Sequence, residues 1–111
     1  MMPLPAGILR EKYAIETPTE TRNELGEKVQ TWSTFATVRG SYEATNYQEQ
    51  SRRGQIGGTV SAVVRIRYVP GVTGAMRLRW ISRDDRILYI SGVVERGHRE
   101  ELELSVEEQA T

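Results

Sequence analysis

The chain's one histidine, His98, stands in a polar stretch beside Arg99, and there is no cysteine anywhere in the sequence. A metal centre needs several ligands converging at short spacing, and nothing pairs with His98 in that way. His98 therefore reads as an exposed turn residue. The two aspartates, Asp84 and Asp85, are adjacent and flanked by Arg83 and Arg86. Paired carboxylates can do acid–base work, but two aspartates between β-rich runs are the ordinary material of a hairpin turn. The stretch GQIGG at 54–58 is rich in glycine, yet it lacks the lysine and hydroxyl of a phosphate-binding loop and the spacing of a dinucleotide fingerprint. Serines are present without a second histidine or an elbow motif, so a nucleophilic triad has no support. The expectation is no catalytic residue, no metal and no cofactor: not an enzyme.

The charges that remain are arranged on strands. Arg65 and Arg67 share one parity, as do Arg77 and Arg79, while Glu101, Glu103 and Glu107 make an acidic stripe near the end. One reading is cross-strand pairing within a single sheet, worth a few tenths to about 1 kcal/mol per pair. The other is complementarity between neighbouring copies, where opposite stripes fix orientation. Head-to-tail contacts need two different matching surfaces, which such stripes would supply.

The elements carrying these charges have period two. Val60, Ala62, Val64, Ile66 and Tyr68 alternate with Ser61, Arg65 and Arg67. Met76, Leu78 and Trp80 alternate with Arg77 and Arg79, and Leu102, Leu104 and Val106 with Glu101, Glu103 and Ser105. Each run predicts a strand with one buried face. Further strands are expected at 12–17, ending at Pro18, at 29–42, and at 86–91, apolar on both faces and so central. Within 29–42 the parity shifts between Trp32 and Phe35, which predicts a bulge or bend. Turns are expected at 23–26, 70–71, 84–85 and 95–98.

Six strands in 111 residues predict one all-β domain, a small antiparallel β-barrel or sandwich. Residues 43–59 form a long polar loop or a short helix, and 107–111 a flexible tail. Loops of that length in a compact domain are usually functional or disordered. The chain is 38% hydrophobic, balances 15 basic against 15 acidic residues, and has a pI near 6.6. That balance argues against gripping nucleic acid as the main activity. No apolar run approaches the roughly 20 residues of a membrane span, and MMPLPAGILREK carries no secretory signal. No membrane partner and a cytoplasmic origin are expected.

In order along the chain, Gly7-Ile8-Leu9-Arg10, Pro18, Asn23-Glu24-Leu25-Gly26-Glu27, Thr31-Trp32, Val38 and Ser41-Tyr42-Glu43 precede Arg65-Ile66-Arg67-Tyr68-Val69-Pro70-Gly71-Val72 and Met76-Arg77. Arg86-Ile87-Leu88-Tyr89-Ile90, Val93 and Arg99-Glu100-Glu101-Leu102-Glu103-Leu104 close the set. This succession resembles the phage head–tail joining proteins, also called head-closure, stopper or head–tail adaptor proteins. The chain departs from that pattern at Ala44-Thr45-Asn46-Tyr47-Gln48-Glu49 and at Asp84-Asp85-Arg86.

The resemblance implies a structural component of the virion, assembled in the bacterial cytoplasm as a homo-oligomeric ring of six or twelve copies. The ring would sit on a portal-bound adaptor, close the DNA-filled head and receive a tail terminator or tail protein. It implies that the 43–59 loop faces the channel. Arg52 and Arg53 in that loop read by themselves as a solvated charge pair; repeated around a ring they, with Gln55, would touch packaged double-stranded DNA without reading sequence. The strand faces, with Arg65, Arg67, Arg77, Arg79, Glu101 and Glu103, and the N-terminal segment would serve ring and adaptor contacts. Two alternatives stand beside it. One is a tail-terminator ring. The other is a small nucleic-acid-binding β-barrel, which would need exposed aromatics, whereas Trp32 and Trp80 sit where core residues are expected.

Overall fold

A computed structural model describes residues 9–45 and 59–109. Their secondary structure is entirely β: β1 (Glu11–Arg22), β2 (Lys28–Gly40), β3 (Glu43–Ala44), β4 (Thr59–Arg67), β5 (Arg77–Trp80), β6 (Arg86–Arg96) and β7 (Glu101–Gln109). All pair antiparallel in one sheet of order β2-β1-β5-β6-β7-β4-β3. One more pairing, Gly40 with Ile66, joins β2 to β4 and gives the hydrogen bonding a ring-like pattern.

The period-two runs set the inside. Tyr13, Ile15, Val64, Ile66, Leu78, Leu88, Leu104 and Val106 are almost wholly buried, with Ala62, Met76, Trp80, Ile90 and Leu102 beside them. Turn chemistry closes the hairpins. Asp84 and Asp85 both have positive φ, and the Arg86 amide donates to the Arg83 carbonyl. Two left-handed residues at the centre of a tight hairpin suit aspartate.

The expected bulge is where the parity break put it. Ile15 faces Ala36 and Glu16 faces Thr34, so Phe35 is the extra residue. A one-residue slip exchanges the faces of everything beyond it. Val38 and Ala36 pack on the core, but Trp32 is turned to the outer face with Glu16 and Arg77. This corrects the expectation that Trp32 is a core residue. A second slip leaves Ser91 unpaired between Ile90 and Gly92, and β6 continues through it to Arg96.

Other boundaries differ too. β1 runs through Pro18 to Arg22, because β5 stops pairing at Glu16 and an edge strand tolerates a missing donor. β3 and β4 take both ends of the 43–59 segment into the sheet, and its residues 46–58, with the helix considered there, lie outside the described residues. β7 holds 107–109 in register with β4, in place of a tail from 107. β6 lies between β5 and β7, as a central strand should, but Tyr89 on its outer face is half exposed.

Candidate assembly surface

The outer face carries the charges as an ordered network. Glu16, whose side chain is 10% exposed, accepts from Arg77 Nε at 2.8 Å and from Arg79 Nε at 3.2 Å. These residues face each other because β1 and β5 pair there, Glu16 opposite Arg77. Arg79 also donates to Asp85 at 2.7 Å, and these bonds, Asp85 first and then Glu16, hold its guanidinium above its ordinary pKa. Arg77 lies 4.2 Å from the Trp32 ring centre, and Trp32 meets Tyr89 edge-on at 6.5 Å.

The second charged group lies across β4, β7 and β6. Arg65 approaches Glu103 at 3.6 Å from one side and Arg96 at 2.6 Å from the other. The register sets Arg65 opposite Glu103 and Arg67 opposite Glu101. These are pairs that one sheet makes by itself. Glu101 is 7% exposed, between Arg67 and Arg96 in register, so it presents no acid to solvent where the alternation suggested one. Arg65 and Arg67 remain exposed. Arg52, Arg53 and Gln55 lie outside the described residues.

Sequence reasoning missed a cleft of about 560 Å³ near the ends of β1, β3 and β4. Trp80 forms its floor, stacked on Tyr42 at 4.3 Å and tilted against Tyr13 at 5.8 Å. Arg83 and Arg86 stand 5.6 and 5.2 Å from the Trp80 ring centre. Glu11 accepts from the indole N–H at 3.1 Å and approaches Arg83 at 3.5 Å, while Arg86 makes a two-pronged pair with Glu108 that raises its pKa. Burial pushes the Tyr42 phenol upward, and Tyr13 further still. No residue spacing announces this cleft, because its lining comes from four separate stretches of chain.

A third feature is the distal half of the β1–β2 hairpin. Beyond Pro18 on β1 and from Lys28 to Thr31 on β2 the ribbon is exposed on both faces. Its tip displays Leu25 at 83% exposure. A long ribbon over a closed body gives extents of 51 × 39 × 22 Å. Among the described residues no three acidic or histidine side chains are placed to hold a metal ion, and no helix is long and apolar enough to cross a membrane. The described surface offers cations, paired carboxylates and aromatic faces to another macromolecule.

Residues 4–109 match the phage head completion protein family. The chain belongs to that family. Its members are structural virion proteins, and this one has a structural role where head meets tail in the phage virion, working with other head and tail proteins. Two solved structures have the same fold. The solution structure of protein SF1141 from Shigella flexneri 2a aligns with a TM-score of 0.68 at 26% identity, covering 95% of this chain and 96% of that one. A chain from the virion of a native gene transfer agent particle aligns at 0.63 and 20% identity, covering 91% and 96%. No curated protein matches.

Proposed function

We propose that this head completion protein acts as the stopper: a homo-oligomeric ring, six- or twelvefold, that seats on the portal-bound adaptor, closes the DNA-filled head and receives the tail. Family membership supports the head–tail setting. The observation that carries the finer reading is the β1–β2 ribbon, whose distal half is exposed on both faces and, among the described residues, has no other element over it. An isolated two-stranded ribbon is marginally stable in water, and its open edges invite pairing or aggregation unless a neighbour covers them. A ring supplies that neighbour at every position.

In that ring the outward charges Arg65, Arg67, Arg77 and Arg79, with Glu103, set orientation against adjacent copies, and the whole chain acts as one joining domain. Arg52, Arg53 and Gln55, repeated around the axis, form a polar, basic collar that touches packaged DNA through its phosphates alone. Zero net charge lets copies pack without strong mutual repulsion. Catalysis has no part in this role.

The test is native mass spectrometry of the chain alone and mixed with its portal–adaptor complex. A monomer that adds to the complex in one fixed symmetric number supports the stopper reading. Addition to tail tube instead would make it a tail terminator. A monomer that ignores both and retains nucleic acid in a salt-dependent way would sink the proposal in favour of a binding barrel.

A further inference from the structure

The tip of the β1–β2 hairpin is ordered, and what it displays is apolar. Asn23 Oδ1 accepts from the amides of Leu25 at 3.0 Å and Glu27 at 2.9 Å, and the Gly26 amide donates to the Asn23 carbonyl at 3.0 Å. Arg22 folds back to donate to the Gly26 carbonyl at 2.9 Å, and Gly26 takes a φ of 79° that favours glycine. These bonds hold Leu25 outward between two carboxylates, Glu24 and Glu27. A turn so fixed has little conformational freedom left to lose on binding.

At the other end of the same ribbon is a matching hollow. Leu9, Val38 and Val69 form an apolar floor, with Arg39 and Arg67 at the rim, around an open cleft of about 350 Å³. That volume would hold roughly ten waters at ~30 Å³ each, ample for a leucine side chain. Within one copy the tip cannot reach it. The 11 steps of β2 from Lys28 to Arg39 span about 36 Å at ~3.3 Å per residue.

We propose that Leu25 of one copy seats in the Leu9/Val38/Val69 cleft of the next, with Glu24 and Glu27 facing the rim arginines. The inference rests on the ring reading above and names the contact that closes the ring. Knob and hollow are different surfaces, so the contact is head-to-tail and each copy gives one arm and receives one. The acidic flanks select this occupant over the uncharged stretch MMPLPAGI that precedes Leu9, which could fill the floor but not answer the rim.

The chain has no cysteine, so a Leu25→Cys, Val69→Cys double variant can be cross-linked with a bismaleimide in purified particles. The expected result is a ladder of covalent oligomers on a denaturing gel, absent from either single variant. Particles that carry the double variant at wild-type copy number without a ladder would overturn the contact and leave the stopper reading standing. A cross-link from Leu4→Cys to Val69→Cys inside one copy, again without the ladder, would assign the cleft to the N-terminal segment and overturn it too. Wild-type chain missing from the particles would remove both readings together. A charge exchange gives a second measure. Glu24→Arg alone, or Arg39→Glu alone, should each cut incorporation about tenfold or more, and combining them, which restores the charge balance of tip and rim, should restore most of it. Failure of the combination to restore it, in chains that still fold, would also overturn the proposal.

Discussion

The body of the molecule and its arm are built from the same two strands with opposite results. From Tyr13 to Ile15, β1 lies between β2 and β5 and is fully buried; past Pro18 β2 is its one neighbour among the described strands, and it is exposed. The composition changes at the same place. Tyr-Ala-Ile gives way to Thr-Pro-Thr-Glu-Thr-Arg, and on β2 the threonines and serines cluster beyond the bulge. The body is held by its own apolar contacts. The arm is held by ladder hydrogen bonds and by threonine hydroxyls such as Thr31 to the Thr19 carbonyl at 3.2 Å, and the proposed ring would supply the cover it lacks. Stability and assembly are thus placed in separate halves of one hairpin.

The sharpest way to break this division is in the body. Leu104→Ala removes a fully buried side chain from β7 and should cost about 2–5 kcal/mol, read as a lower urea midpoint. A Cβ added at Gly40 would come within 2.7 Å of Ile66 Cγ2 and 2.8 Å of the Arg65 carbonyl. Gly40→Ala should therefore cost about 1–3 kcal/mol and speed amide exchange where β2 meets β4, leaving the β6–β7 ladder protected.

A smaller effect separates burial from hydrogen bonding at the body's edge. The Tyr13 hydroxyl donates to the Ser41 carbonyl at 3.0 Å, so Tyr13→Phe should cost about 1 kcal/mol at neutral pH. Burial raises the Tyr13 and Tyr42 pKa values above the ordinary 10.0. Their contribution is then complete below pH 10 and is lost above it, as the unfolded chain ionises first. Thermal melts should show an alkaline decline that is shallower in Tyr13→Phe. The smallest effect belongs to the arm: Leu25→Ser should move stability by no more than ~0.5 kcal/mol, with the melting temperature of the isolated chain unchanged. A large loss there would mean that the arm supports the body after all.

Much of the body was legible in the sequence. Alternation at 60–68, 76–80 and 102–106 marked the inward residues correctly, and the parity break before Phe35 marked the bulge. Trp32 departs from the core expectation because the bulge at Phe35 exchanges the faces of every residue on its far side. The Arg77–Glu16–Arg79 network was not legible. Glu16 stands 61 residues from Arg77, and nothing in local spacing says which strand lies beside which. The Trp80 cleft was hidden for the same reason.

Taken alone, the sequence determined that the chain is all-β and where most strands lie, and the order of its short motifs resembles that of the phage head–tail joining proteins. The first two rest on period-two burial and turn chemistry, both local in the chain. Only the tertiary structure decided which charges neutralise one another, that Glu101 lies buried beside them, and that the first hairpin outruns the core. Each depends on strand order and register, which are set by long-range pairings such as Gly40 with Ile66, where a single close backbone approach decides which ends of the sheet meet.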